Sequence, residues 1–135
     1  MAEYIYSAIC DVVKIYEGDV SLIWKEDNDA GHVIEKFKKF KGISHKKAAF
    51  GVLLLMREFN LKFSNLEQVG IAADVHVTRV FSRMGLIEKE MPELVIEKAK
   101  KINPKFPGSL SSAFWIIGRK YCHPAEPSCI SCPFF

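Results

Sequence analysis

Nothing in the chain is long and apolar enough to cross a bilayer: its longest wholly apolar runs, such as Val52 to Met56, are a fraction of the roughly 20 residues required. A secretory leader is not expected, because Glu3 and Asp11 stand where one would need a basic start and a clean apolar stretch. There are no repeats and no low-complexity tract, which excludes a solenoid, a fibre and a linker. No segment sustains an alternation of apolar and polar residues, which argues against sheet architectures. Cysteine is scarce, with 4 in 135 residues, too few for a disulfide-held scaffold. The expected location is the cytosol, where thiols stay reduced.

What is present is apolar substance with helical spacing. Apolar residues make up 49% of the chain, enough for one domain or two small lobes around a real interior. Ile5, Ile9, Val12, Val13 and Tyr16 recur every three or four residues, drawing a buried stripe with Cys10 beside it on a helix from Ala2 to Tyr16. Further helices are expected over Ala30 to Phe40, over His45 to Phe59 as an almost wholly apolar central helix, and over Val75 to Met84 behind an Asp74 N-cap. Glu93 to Ile102 opens behind Pro92, and Leu110 to Tyr121 behind a Ser109 cap. The fold class is therefore all-α.

Charge is nearly balanced overall at +3, but it is unevenly placed. Lys36, Lys38, Lys39, Lys41, Lys46, Lys47 and His45 fall between Glu35 and Glu58 with no acid among them. Such a local field suits a polyanion, although a solvated helix face would read the same way. At its centre, Phe40-Lys41-Gly42-Ile43-Ser44-His45-Lys46-Lys47 makes a tight turn into a helix. Unpaired N–H groups and the positive end of the helix dipole make such a turn a phosphate site. Lys41, Gly42, Ser44, His45 and Lys47 are the candidate nucleic-acid contacts. Farther along, Asp74 is most simply an N-cap, while Arg79 and Arg83, four apart on one face, are expected to meet solvent or phosphate.

Cys122, Cys129 and Cys132 are separated by six and then two residues in a loop stiffened by Pro124, Pro127 and Pro133. Three clustered thiols would leave one unpaired as disulfides, and together they suit a metal. Zinc sites usually show two separate close pairs, whereas this segment has one, so spacing favours an iron-sulfur cluster. Zinc completed by His123 is the minor option.

Taken in order, the hairpin and its lysine, the run Asp74-Val-His-Val-Thr-Arg-Val-Phe81, and the Trp115-x-x-Gly118-Arg119-x-x-Cys122 approach to Cys-x6-Cys-x2-Cys resemble the endonuclease III branch of the helix-hairpin-helix DNA glycosylases. The likeness runs from about Phe40 to the C-terminus. It implies excision of damaged or mismatched bases from double-stranded DNA, a [4Fe-4S] cluster on the cysteine loop, Lys46 as nucleophile and Asp74 as the essential carboxylate. It implies a helical domain at 1–121 holding a helix-hairpin-helix at about 30–59 and an aspartate-led helix at 74–84, then a cluster loop at 122–135. An intracellular, nucleoid-associated location follows.

The sequence also departs from that pattern. Lys41 replaces the usual hairpin proline and Ser44 its second glycine, which puts a φ/ψ demand on Ser44. An insertion falls around Leu61 to Gly70, and the fourth cluster cysteine would lie beyond Phe135. For Lys46 to attack as a free amine, burial and neighbouring positive charge would have to favour its neutral form. A non-catalytic DNA-binding module and a metal or redox protein are the alternatives to a glycosylase with lyase activity.

Overall fold

The computed structural model describes residues 2–134. Among these there is no strand, and the only sheet-like feature is an isolated bridge between Asp29 and Ser64. The protein is all-α. It forms two compact units, the first ending at Val69 and the second beginning at Gly70.

The first unit holds α1 (Ala2–Ile15), a 3-10 turn at Val20–Ile23, α2 (Ala30–Lys38), α3 (His45–Glu58) and a 3-10 turn at Leu66–Gln68. Asp29 starts α2 by accepting from the His32 N–H at 3.1 Å, and the bridge to Ser64 holds that end in place. Helices α2 and α3 pack together and bury Ala30, Val33 and Ile34 on one and Ala48, Ala49, Val52 and Leu55 on the other. Two expectations fail here. α3 is apolar nearly all round but buries one side, leaving Phe50 exposed. α1 buries no residue: Ile5, Ile9 and Val13 of its stripe face solvent, and Cys10 is half-buried. Its contacts to the unit include the hairpin turn, through Glu3 to Lys41 and the Tyr4 ring against Gly42.

The second unit holds α4 (Val75–Arg83), α5 (Pro92–Ile102), a 3-10 turn at Pro107–Ser109, α6 (Leu110–Lys120) and a 3-10 turn at Cys129–Ser131. Val77, Val80 and Phe81 of α4, Val95 and Ala99 of α5, and Phe114 and Ile117 of α6 form its core. The Phe81 and Phe114 rings lie 4.5 Å apart. Cys122 and Cys132 pack against this core, so the cysteine segment is part of the unit. Ser109 does not cap α6: it is already helical, and its Oγ donates to the Phe106 carbonyl. The buried Ser111 hydroxyl instead accepts from the Ala72 N–H at 3.0 Å, tying the approach to α4 onto α6.

Candidate functional site

The hairpin in the first unit is built around Gly42, whose φ of +83° lies in the left-handed region. A Cβ there would also stand 2.9 Å from the exposed Tyr4 ring, which would have to move aside, so the positive φ is the stronger demand for glycine. Ile43 donates to the Phe40 carbonyl at 3.1 Å to close the turn, and Lys47 reaches back to the Gly42 carbonyl at 2.9 Å. Ser44 adopts φ −82°, ψ 166°, ordinary extended geometry, and the expected strain from replacing glycine is absent. It provides no side-chain cap, leaving the first-turn N–H groups of α3 without a capping side chain. Lys41, Gly42, Ser44, His45, Lys46 and Lys47 are all exposed. The unit therefore presents backbone donors and cations together, a surface that suits anions. Lys46 stands in the open, so the burial expected to favour its neutral amine is not in place.

In the second unit, Asp74 is the N-cap of α4. Its Oδ1 accepts from the His76 and Val77 N–H groups, both at 2.9 Å. The carboxylate is half-buried and oriented by those donors. One turn on, Arg79 overturns the expectation of a solvent- or phosphate-facing side chain. It is only 7% exposed. Its Nε donates to the Cys122 carbonyl at 2.7 Å, and one terminal nitrogen to the Gly118 carbonyl at 3.1 Å and to His76 Nδ1 at 3.0 Å. A guanidinium can only donate, so Nδ1 accepts and the His76 proton sits on Nε2. Arg83, though exposed, donates to the carbonyls of His123, at 2.6 Å, and Pro124, and its N–H lies 3.4 Å from Cys122 Sγ. Both arginines hold the start of the cysteine loop.

The approach of α6 to α4 explains why. At Gly118 a Cβ would fall 2.8 Å from the His76 carbonyl, so only glycine lets the helices meet closely enough for Arg79 to reach across. The Gly118-Arg119 pair in the sequence carried that signal, but its partner could not be read from it.

Cys122, Cys129 and Cys132 are free thiols that line one cavity of about 320 Å³, with Arg83 on its wall. Ser128 closes the loop by donating to the Tyr121 carbonyl at 2.8 Å. The donor set fits a thiolate-bound group in kind, since three soft ligands share a cavity and an arginine faces one of them. Among the described residues, however, no three His, Cys, Asp or Glu side chains converge on a point that could hold one ion. His123 is not on the cavity wall, so the zinc alternative completed by His123 is not assembled. Cys10 belongs to the first unit.

No protein-family model and no solved structure matches the chain. Among curated proteins, Endonuclease III of Thermotoga maritima is 27% identical over 100 residues, covering 73% of this chain and 42% of the relative. The relationship is distant. The chain spans less than half the length of the curated relative it matches.

Proposed function

We propose that this chain acts on DNA as a base-excision glycosylase, with lyase chemistry supplied by Lys46. The observation that carries the reading is the hairpin: a left-handed Gly42, uncapped first-turn N–H groups of α3 and a ring of exposed lysines. Such a surface attracts phosphates without reading base edges. The distant likeness to Endonuclease III of Thermotoga maritima supports it.

A target base must leave the duplex before it can be reached. The neutral Lys46 amine then forms a bond to the sugar carbon as the glycosidic C–N bond breaks. Its electron pair leaves with the base, which takes up a proton; the attached amine sheds a proton, and the sugar-ring bond from C1′ to O4′ then opens, with the ring oxygen taking up a proton, to leave a Schiff base between C1′ and the lysine nitrogen. Positive charge builds on the sugar in between, and the Asp74 carboxylate stabilises it. Lys46 lies exposed, so DNA itself would have to exclude water around the amine. Cys122, Cys129 and Cys132, three soft donors on one cavity wall, would hold an iron-sulfur cluster. When bound, that group would cross-link the loop and add a redox-active centre.

The exposure of Lys46 favours a second reading, a DNA-binding module without catalysis. Borohydride trapping on duplex DNA carrying damaged bases separates the two. A glycosylase-lyase yields a covalent adduct that Lys46→Gln abolishes. A binding module retains DNA and yields none.

A further inference from the structure

Helix α6 turns Phe114 into the core and leaves its neighbour Trp115 with 40% of its surface exposed. The indole is nevertheless held. Arg119, one turn later, lies over the ring 5.0 Å from its centroid, and His76 of α4 meets it edge-on with centroids 6.4 Å apart. His76 is itself fixed, through Nδ1 by the buried Arg79 and through its backbone N–H by Asp74 Oδ1. A large aromatic surface is thus held in solvent against His76, whose backbone N–H donates to Asp74, the residue proposed above as the essential carboxylate.

We infer that Trp115, bracketed by Arg119 and His76, is a stacking platform for a nucleobase swung out of a DNA duplex. The inference rests on the DNA-directed reading above and adds to it a place where the displaced base goes. Every base offers a π-face, and stacking on an aromatic side chain is tolerant of base identity. The Arg119 guanidinium over one face of the indole adds a cation–π contribution, and the base would take the opposite face. Arg119 and Lys120, both exposed at the end of α6, supply positive charge for the phosphates flanking such a nucleotide. Ile116 and Val75 are exposed nearby, but the guanidinium and imidazole against the ring and Lys120 beyond them match a nucleotide better than an apolar protein face. The platform selects for a base that is out of the stack and leaves its identity to other contacts.

The test uses the full chain with Trp24→Phe, so that Trp115 is the only tryptophan emitter, and two DNA duplexes of one sequence, fully paired or carrying a single unpaired base. The unpaired-base duplex should quench Trp115 emission at saturation, and the paired duplex should quench it at most half as much. Trp115→Ala should weaken binding to the unpaired-base duplex by about tenfold while changing the paired-duplex affinity less than about twofold. Trp115→Phe, which keeps a ring and the packing, should recover most of the difference and serves if the alanine variant does not fold. Equal losses on both duplexes, or unchanged emission at saturating unpaired-base DNA, would overturn the platform while leaving DNA binding through the hairpin standing. Failure of the parent protein to bind either duplex would overturn the DNA reading and the platform with it.

Discussion

The two compact units use their basic side chains in opposite ways. In the first, the lysines around the hairpin are exposed, and those that are tied, such as Lys47 on Gly42 and Lys41 on Glu3, hold the turn at its surface. In the second, Arg79 is buried against four acceptors, Val75 and His76 of α4, Gly118 of α6 and Cys122 of the loop, and Arg83 ties two further carbonyls. The chemistry of the two cations accounts for the division. An ammonium is a compact, strongly hydrated point charge that adapts to a phosphate wherever it lies, whereas a guanidinium is a rigid fork that fixes several acceptors at once. Charge near the hairpin stays at the surface, where an anion can meet it; charge on α4 serves the fold.

That contrast can be broken by substitution. On the proposed mechanism the largest effect should come from Asp74→Asn, because asparagine keeps the cap while removing the charge proposed to stabilise the transition state. Excision assays should show a loss on the order of a thousandfold, about 4 kcal/mol, with melting and DNA affinity nearly unchanged. Normal excision by this variant would leave Asp74 as a cap and nothing more. Arg79→Met comes next, since it leaves the Cys122 and Gly118 carbonyls without their buried donor. Denaturant titration should show destabilisation of about 3 kcal/mol, together with faster labelling of Cys122 by thiol reagents. If Arg79 instead served DNA, stability would hold and affinity would fall.

Gly118→Ala tests the close approach that makes the Arg79 bonds reachable, and should cost about 2 kcal/mol because the Cβ meets backbone. Reversing Lys41 and Lys47 to glutamate probes the other side of the comparison. DNA affinity at moderate salt should fall about tenfold, and the slope of log affinity against log salt should flatten by roughly two. An unchanged slope would place the DNA face elsewhere. The smallest effect concerns acid. The carboxyl of Asp29 is held below its ordinary value of 3.8 by the His32 N–H it accepts and by the Asn65 side chain. A depressed folded value means the contribution is present above the ordinary one and is lost as pH falls below it toward the folded one. Circular dichroism on acidification should therefore show a small loss of helix that Asp29→Asn no longer shows.

Local rules reached far into this molecule. The starts of α3, α4 and α5 and the stop at Gly85 were legible because a cap, a first-turn proline or a glycine acts within one turn of where it is written. The pieces of the candidate site were legible for a similar reason: the hairpin lysines, Asp74 and the three cysteines each stand in a short run. Burial was not. The stripe on α1 has the same period as the buried faces of α2 and α4, yet it finds no core to enter, and periodicity names a face without naming its partner.

By itself, then, the sequence determined the helical class, the position of the turns, and the gathering of lysines and of cysteines into separate segments, because these follow from the preferences of residues a few positions apart. Tertiary structure alone decided that Arg79 is an interior clamp and not a phosphate contact, that Trp115 stays exposed beside Asp74's helix, and that the compact units divide at Val69 and Gly70. Each of these depends on which helix faces meet. That in turn depends on contacts such as Gly118 against His76, which lie 42 residues apart in sequence (118 − 76) and become neighbours only when the second unit is packed.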